Sequence, residues 1–281
     1  MISKPVKGET RTMGELREHY EIEKELASRL RNASKEERRS LYASLYDEIY
    51  RRVPLHPQLT QKASPEQAAR VVALQMKFLE RFLDKDDAFL ELGPGDCSLS
   101  FEVAGRVKQA VAVDVSGEIT KSATQPANFQ LFLSDGSSVP VPPESVDVAF
   151  SDQLMEHLHP DDAFEQLENI CRALVPGGVY VCVTPNRLRG PHDISMYFDD
   201  TATGLHLKEY TNRGLAGLFR KAGFSRVRVY AGARGKFVRL PAWPVALCEM
   251  LLDLLPHALK RRIARSLPFR IFLGIRMVGI K

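Results

Sequence analysis

Short apolar runs alternate with segments of helical length from residue 88 onward, and this alternation is the strongest constraint on the fold. Strands are predicted at 88–92, 110–113, 129–133, 146–150, 179–183 and 227–230. Helices are predicted near 98–108, 161–174 and 212–222, in the gaps between strands. Strands that are apolar on both faces and joined by helices form a mostly parallel sheet with helices on each side. The sequence therefore predicts a doubly wound α/β fold.

Helical segments flank this region. Ser34 and Glu37 form a capping-box pattern at a predicted helix start. Tyr42, Tyr46 and Tyr50 then recur at four-residue spacing along that helix. These tyrosines either pack with their hydroxyls at the surface or form a lid over a substrate pocket. The predicted domains are an N-terminal helical extension or lid (1–85), a core (86–231), a basic helical insertion (232–268) and a last core strand (269–281).

A glycine-rich turn follows the first predicted strand, in the segment Phe89-Leu90-Glu91-Leu92-Gly93-Pro94-Gly95-Asp96-Cys97. Gly93 permits a tight turn, and Gly95 lets a ligand approach the backbone without a Cβ in the way. Free N–H groups at the start of the following helix would face the bound group. The turn therefore predicts a ligand site at the carboxyl end of this strand.

Two acids end the next two strands. Asp114 follows Gly95 by 19 residues (114 − 95), a spacing at which an acid can accept hydrogen bonds from both hydroxyls of a ribose. Asp135 follows the third strand, in Ser134-Asp135-Gly136. Ligands of open α/β sheets bind beyond the carboxyl ends of the strands, so we expect these acids to converge on the glycine turn.

The segment Glu91-Leu92-Gly93-Pro94-Gly95 resembles the first motif of class I S-adenosylmethionine-dependent methyltransferases, and Asp114 resembles their ribose-binding acid. Further similar motifs follow in the family's order: Val146-Asp147-Val148-Ala149-Phe150-Ser151, Glu156-His157-Leu158, Leu174-Val175-Pro176-Gly177-Gly178 and Ala222-Gly223-Phe224. The resemblance covers about residues 86–231. It implies methyl transfer from S-adenosylmethionine and a seven-stranded Rossmann-like sheet whose antiparallel last strand is 271–280.

The resemblance also implies a set of cofactor contacts. In that family the residue matching Asp135 lies beside the adenine, and the loop after the fourth strand lines the methionine end of the cofactor. The implied contacts are Glu91, Gly93, Pro94, Gly95, Cys97, Asp114, Ser134, Asp135, Gly136, Ser151 and Gln153. Cys97 is a departure, because the family often has a third glycine at this position.

Two other functions remain open beside methyl transfer to a small-molecule, lipid or lipid-linked glycan acceptor. A dinucleotide-dependent oxidoreductase would carry a small residue three positions after Gly95, where Ser98 is an imperfect match, and no hydride-transfer constellation follows. A binding or scaffold protein that has lost turnover would usually show a change in the cofactor motif, which is intact here.

Candidate groups for proton transfer lie in the segment that follows the fourth strand and in a later loop. His157 or His206 is the predicted general base, needed only if the acceptor must lose a proton. The alternative is a structural histidine bonded to backbone. His192, Asp193, Tyr197 and Phe198 follow the fifth strand and could contact an acceptor.

No metal is the main prediction, but one alternative remains. Glu156, His157 and His206 are similar to the pattern in the plant small-RNA 2′-O-methyltransferase, where Glu and His side chains hold a divalent ion. Gln153 stands where that enzyme has a Glu, which leaves fewer anionic ligands.

Charge is distributed unevenly along the chain. The net charge is +4, but residues 232–281 contain ten Lys or Arg against Glu249 and Asp253, which gives about +8 there and −4 in the remainder. Leu259, Ile263 and Leu267 share a helical face opposite Lys260, Arg261 and Arg262, so residues 244–267 are predicted to contact an anionic membrane, or else to form a cap on the domain. A nucleic-acid partner is not expected, since the core has no basic face.

The predicted location is cytoplasmic, peripheral at the membrane face. The segment 1–12 has no apolar stretch typical of a secretory signal. Cys97, Cys171, Cys182 and Cys248 show neither CxxC pairing nor zinc-ligand spacing, which is typical of reduced thiols.

Overall fold

The computed structural model describes residues 9–60, 64–116 and 125–281. The first eight residues of the segment 1–12, which was predicted not to be a secretory signal, lie outside these ranges. The described residues form one sheet with helices on both faces. Its strands are β1 Ala88–Leu92, β2 Gln109–Asp114, β3 Phe129–Leu133, β4 Val146–Asp152, β5 Leu174–Thr184, β6 Arg226–Ala233, β7 Lys236–Leu240 and β8 Ile275–Ile280.

The strands follow the order β3-β2-β1-β4-β5-β8-β6-β7. Strands β1 to β5 pair in parallel, whereas β8 lies antiparallel between β5 and β6. This is the predicted doubly wound arrangement with an antiparallel last strand. The strand order reverses between β1 and β4, and such a switch point opens a crevice at the carboxyl ends of the strands.

The sheet has eight strands, so the expected count of seven is wrong. The additional strand, β7, pairs antiparallel with β6 across the two-residue turn Arg234-Gly235. Both turn residues have positive φ, +54° and +81°, which is the geometry of a tight hairpin. Strand β7 is an edge strand with three exposed and two half-buried residues. Two of the exposed residues, Lys236 and Arg239, are basic, so the segment lacks the apolar run by which the other strands were predicted.

Helices cover both faces of the sheet and extend it at each end. The helices are α1 Met13–Asn32, α2 Lys35–Arg52, α3 Pro57–Thr60, α4 Pro65–Leu79, α5 Ser98–Ala104, α6 Pro160–Ala173, α7 Asn212–Lys221, α8 Ala242–Asp253, α9 His257–Ala264 and α10 Leu267–Phe272. One core cluster joins the sheet to buried residues of α1, α2, α6 and α7. The other joins the opposite face to α4 and α5. The N-terminal helices therefore belong to the same folded body as the sheet.

The C-terminal segment differs in detail from the prediction. The basic amphipathic region forms α9 and α10 rather than one helix, and β8 begins at Ile275 rather than at residue 271 because α10 occupies the preceding residues. Leu259 and Leu267 are 46% and 70% exposed, whereas Ile263 packs into a small core cluster. Within the described residues, no helix has the length and apolar character needed to cross a bilayer.

Candidate active site

The glycine turn between β1 and α5 has a backbone that few residue types adopt. φ is +65° at Gly93, +57° at Gly95 and +60° at Cys97. This left-handed conformation costs a non-glycine residue about 1–2 kcal/mol, so a glycine would be favoured at position 97 on backbone grounds. The Cys97 side chain is fully buried. A Cβ at Gly95 would meet nothing within 4 Å, so the outer face of the turn is open to a ligand.

Asp114, at the end of β2, is fixed against this turn. Its Oδ1 accepts hydrogen bonds from the backbone N–H groups of Val115 at 2.7 Å and Ser116 at 3.1 Å. Burial raises the pKa of Asp114, and hydrogen bonds that include the N–H of Gly95 oppose the rise. The predicted ribose-binding acid and the glycine turn are therefore held together by the backbone.

A cavity of about 60 Å³ lies between these strand ends and α2. Tyr42 and Tyr46 form part of the wall that α2 contributes. Tyr50 does not line the cavity, and a lid role for the other two tyrosines stays a prediction. From the predicted site, the walls include Gly93, Asp114, Ser134, Gly136 and His157.

A buried network fastens α2 over this cavity. Arg38 donates from Nε and a terminal nitrogen to the two carboxylate oxygens of Asp162, at 2.6 and 2.7 Å. The Tyr42 hydroxyl donates to Asp162 at 2.7 Å and accepts from the backbone N–H of His159 at 2.9 Å. Gly136, at φ +95°, permits this packing because a Cβ there would lie 2.6 Å from the Tyr42 ring. The network thus ties α2 to the first turn of α6 and fixes Tyr42 at the cavity.

Several predicted cofactor contacts lie beneath the site rather than on its walls. Glu91 is buried and accepts a hydrogen bond from the Ser100 hydroxyl, and burial raises the pKa of Glu91 to about 8. Ser151 is buried and shares a hydrogen bond of 2.7 Å with Tyr180. Pro94 is buried within the turn. These residues support the strand ends from inside the protein.

Asp135 turns away from the cavity, although its neighbours Ser134 and Gly136 line it. Asp135 Oδ1 accepts hydrogen bonds from the backbone N–H groups of Ser137 and Ser138, at 3.1 and 2.8 Å. Its Oδ2 lies 3.0 Å from Nε of Arg39. Burial acts to raise the pKa of Asp135, but these hydrogen bonds and Arg39 lower it overall. The carboxylate therefore stays charged and shapes the loop after β3.

Glu156, His157 and His206 come together, although 48 residues separate the two histidines' segments. Their ligand-type atoms lie within 4.8 Å of one another. His157 Nδ1 lies 3.2 Å from the carbonyl oxygen of Leu205, and His206 Nδ1 lies 2.9 Å from Glu209. Glu156 accepts a hydrogen bond from Thr184 through one oxygen, while its buried Oε1 has no partner.

The electrostatics of this cluster distinguish its members. Burial raises the pKa of Glu156 to about 7 and lowers that of His157 to about 4. Burial also acts to lower the pKa of His206, but the hydrogen bond with Glu209 and the nearby carboxylates of Asp193 and Glu156 together outweigh it and raise the pKa overall. His157 is therefore neutral near pH 7. Two imidazoles held by a carbonyl and a carboxylate, beside a carboxylate oxygen with no partner, form a donor set suited to a divalent ion.

A further group of metal-type donors joins α1 to the segment before α3. His19, Glu23 and His56 bring their ligand-type atoms within 4.8 Å of one another. Both ring nitrogens of His19 are engaged, one at 2.8 Å from Glu23 and the other at 2.7 Å from Arg11. The nearby guanidinium disfavours a cation, so this group is better suited to joining the N-terminal helices.

A second, larger cleft lies beside the 60 Å³ cavity, hereafter called the cofactor cavity. It has a volume of about 480 Å³, and Gln153 and Thr184 lie on its wall at the carboxyl ends of β4 and β5. Gln153 precedes Leu154, which lines the smaller cavity. Of the residues predicted to meet an acceptor, His192 lines this cleft. Tyr197 instead packs against α1.

Sequence reasoning missed three parts of the site. They are the Arg38–Asp162 pair, the contacts of Glu209 with His192 and His206, and the arginines of the second cleft. Each depends on contacts between segments that are separated in the sequence. Only the capping box that positions α2 gave a local signal near the first of them. The arginines carried no motif, and the count of basic residues in the tail was the one hint.

The strand ends fit S-adenosylmethionine. The open face of Gly95, the N–H groups of the turn and the anchored Asp114 suit a nucleoside with free ribose hydroxyls. The cavity of about 60 Å³ is much smaller than a typical ligand pocket of roughly 300–1,000 Å³. The cavity alone is therefore too small to enclose a whole cofactor. The cofactor supplies an electrophilic methyl group, so the chain's residues need to align the acceptor and exclude water.

Known proteins resemble this chain in sequence and in fold. A family model described as a methyltransferase domain matches residues 90–182. An uncharacterized methyltransferase of Geobacillus kaustophilus is 30% identical over 178 residues, which span 57% of this chain and 80% of that protein.

The fold is similar to those of solved methyltransferases. A Haloferax volcanii protein solved with the Trm112 methyltransferase activator gives a TM-score of 0.54 at 18% identity, over 76% of this chain and 90% of that one. An S-adenosylmethionine-dependent methyltransferase from Mesorhizobium loti gives 0.51 at 12% identity, over 75% and 100%. Phosphoethanolamine N-methyltransferase 1 of Haemonchus contortus, solved with phosphoethanolamine and S-adenosylhomocysteine, gives 0.51 at 16%, over 73% and 43%.

The glycine turn, the anchored acid and the switch point of the sheet agree with these comparisons. S-adenosylmethionine is the methyl donor that the site is built to hold. The chain belongs to the methyltransferase family and is a class I S-adenosylmethionine-dependent methyltransferase.

Proposed function

We propose that this methyltransferase acts on a lipid or a lipid-linked glycan at the surface of an anionic membrane. The observation that carries the proposal is the outward face of α8. Large apolar side chains recur there at helical spacing and are exposed to solvent. They are Trp243 at 70%, Leu247 at 43%, Met250 at 41%, Leu251 at 56% and Leu254 at 81% exposure.

The opposite face of α8 is fixed in the protein. Val245 and Leu252 are buried there. Glu249 is 2% exposed and accepts hydrogen bonds from the side chain of Asn186 at 2.8 Å and from the backbone N–H of Asn212 at 2.7 Å. The exposed apolar stripe is thus held outward by a buried anchor. Exposed apolar surface of this kind marks an interaction site in soluble folds.

The surrounding charge suits an anionic surface. Arg234, Arg262 and Arg270 are exposed in the same C-terminal segment. Its two acids are already engaged, since Glu249 is buried and Asp253 pairs with Arg187 at 2.6 Å and Lys260 at 3.1 Å. A helix with an apolar face and cationic surroundings binds at the interface of anionic membranes.

The same proposal gives roles to the two histidines. His157 lines the cofactor cavity and is neutral near pH 7, but a pKa of about 4 makes it a weak base, so its imidazole accepts a hydrogen bond from an acceptor hydroxyl rather than its proton. His206 is held by Glu209 and faces the same cluster, where it positions His157 through ring contact at 4.8 Å. His157 therefore orients the acceptor hydroxyl, with His206 as a positioning residue.

Vesicle flotation tests the membrane contact. The purified chain should float with anionic vesicles at low salt, and the triple substitution Leu247→Gln, Leu251→Gln, Leu254→Gln should abolish flotation. The three side chains are 43%, 56% and 81% exposed, so transfer of the exposed part of each into lipid contributes about 1 kcal/mol and the three together about 100-fold in binding. The matched control is Val71→Gln, Leu74→Gln on α4, where the side chains are 54% and 40% exposed.

Wild-type protein that stays with the unbound fraction, or an equal loss in the α4 control, would contradict the membrane contact. The acceptor class is tested separately, by incubating the protein with membranes of its source and radiolabelled S-adenosylmethionine. Label extracted into organic solvent is the expected result. Label found only in water-soluble small molecules would contradict a lipid acceptor.

A further inference from the structure

Four arginines line the 480 Å³ cleft beside the cofactor cavity. They come from three separate parts of the fold: Arg189 follows β5, Arg234 lies in the β6–β7 turn, and Arg270 and Arg276 lie in α10 and β8. No carboxylate within the described residues forms an ion pair with any of these four side chains. A cleft with four guanidinium groups and no carboxylate paired with them among the described residues is suited to an anion.

Two of the arginines are held within the protein. Arg189 is half-buried, and its Nε is a buried donor without a hydrogen-bond partner. The segment that carries Arg189 is itself fixed, because Arg265 donates from Nε to the Arg189 carbonyl oxygen at 2.9 Å. Arg276 is also half-buried. Unpartnered buried donors are costly unless a ligand satisfies them.

The charges also act on one another. Burial lowers the pKa of Arg189, and the guanidinium groups of Arg270 and Arg276 lower it further. Burial likewise lowers the pKa of Arg276, with Asp152 acting in the opposite direction. A bound anion would relieve this repulsion. Arginine binds the oxygens of both carboxylates and phosphates through paired N–H groups. Four guanidinium groups lining one cleft match the higher charge and larger number of oxygens of a phosphate or diphosphate better than those of a halide or a single carboxylate.

The rest of the cleft indicates where the anion sits relative to the reaction. Gln153 and His192 lie on its wall, Gln153 being the chain neighbour of Leu154 in the cofactor cavity, and Leu267 and Ile271 add apolar surface. Leu267 is 70% exposed. A ligand that fills the cleft would therefore meet arginines and apolar side chains together, close to the strand ends where the methyl group is transferred.

We propose that this cleft is the acceptor site and that Arg189, Arg234, Arg270 and Arg276 bind a phosphate or diphosphate group of the acceptor. The proposal rests on the methyl-transfer function and narrows its substrate to a phosphorylated molecule. Lipid phosphates and soluble phosphate esters share this chemistry. The apolar residues of the cleft would add affinity only for the former.

Calorimetry with inorganic pyrophosphate tests the anion site without an acceptor and without turnover. The wild-type protein should bind pyrophosphate, and Arg189→Gln with Arg276→Gln should weaken binding at least 10-fold. Arg270→Gln, an exposed rim position that does not threaten folding, should weaken it about 3-fold. Arg220→Gln is the control, because Arg220 is exposed on α7 and lies outside the cleft. Absence of pyrophosphate binding by wild-type protein, or an equal loss in Arg220→Gln, would overturn the proposal.

A parallel titration with S-adenosylmethionine separates this proposal from the methyl-transfer function. The double variant should bind S-adenosylmethionine as wild-type protein does, since its arginines lie outside the cofactor cavity. An equal loss of cofactor binding would mean that the cleft holds part of the cofactor, which overturns the acceptor site. Dodecyl phosphate below its micelle concentration distinguishes the two sources. Binding at least 10-fold tighter than inorganic phosphate supports a lipid phosphate, and equal affinity supports a soluble phosphate ester.

Discussion

The network beneath α2 gives a sharp test of how the N-terminal helices are held on the sheet. Replacing Arg38 by Met removes a guanidinium but keeps much of the side chain's length. It leaves Asp162 buried, with the Tyr42 hydroxyl as its remaining side-chain donor. The neighbouring substitution Arg39→Met is the matched control, because Arg39 also pairs with an aspartate but at the surface. The exposed fractions of the two pairs are 6% and 4% for Arg38–Asp162 and 48% and 26% for Arg39–Asp135.

The expected loss of stability depends on whether the buried Asp162 stays charged in the variant. Breaking a buried pair by removing one partner costs about 3–5 kcal/mol. The carboxyl group can escape part of this cost by taking a proton. From an ordinary pKa of 3.8, protonation costs about 4 kcal/mol at pH 7 and about 2 kcal/mol at pH 5, at ~1.36 kcal/mol per pH unit. Arg38→Met should therefore lose about 3–4 kcal/mol at pH 7 and clearly less at pH 5. Arg39→Met should lose at most about 1 kcal/mol at either pH.

Urea unfolding followed by circular dichroism at the two pH values measures these free energies of unfolding. If α1 and α2 unfold before the sheet, the loss will appear in the first transition. Equal losses for the two variants would refute the account of the network. A loss of stability in Arg38→Met that is as large at pH 5 as at pH 7 would also refute it, because protonation of Asp162 should reduce the loss at the lower pH.

Two further substitutions test the site from other sides. Gly136→Ala should lower the free energy of unfolding more than Gly177→Ala does, and should also weaken S-adenosylmethionine binding. Both positions have positive φ (+95° and +85°), but only at position 136 would the new Cβ meet the Tyr42 ring, at 2.6 Å. Urea unfolding and calorimetry measure the two effects, and equal behaviour of the two variants would exclude the ring contact. Glu91→Gln should gain up to about 4 kcal/mol in free energy of unfolding, relative to wild-type protein, between pH 5 and pH 8. The pKa of Glu91 is raised to about 8 in the folded protein, so the stabilising contribution of the protonated carboxyl group is lost as pH rises to that value. A stability difference between variant and wild type that stays constant across this range would mean that Glu91 is ionised in the folded protein.

Much of the fold could be predicted from local patterns because the central strands are buried on both faces. The strands at 88–92 and 129–133 begin and end where predicted. The pattern failed at β7, where charged residues face solvent and pairing depends on the Arg234-Gly235 turn. A positive-φ pair of this kind is a hairpin signal, but an arginine in the first position hides it.

The site divides in the same way. Gly93, Gly95 and Asp114 could be found because backbone geometry demands those residue types at fixed spacing. The wall formed by Tyr42 could not, since it depends on Arg38 meeting a carboxylate 124 residues away. Nor could the arginine cleft, whose members come from distant segments. Local sequence specifies turns and strand ends, whereas contacts between distant side chains emerge only when the chain folds.

The most direct test of the central claim is calorimetry of the purified chain with S-adenosylmethionine, repeated with Asp114→Ala and with NAD. We expect micromolar binding of S-adenosylmethionine by wild-type protein, a loss of at least 10-fold in Asp114→Ala, and no heat with NAD. Folded protein that binds no S-adenosylmethionine, or that binds it equally well without the Asp114 carboxylate, would contradict the assignment of this site.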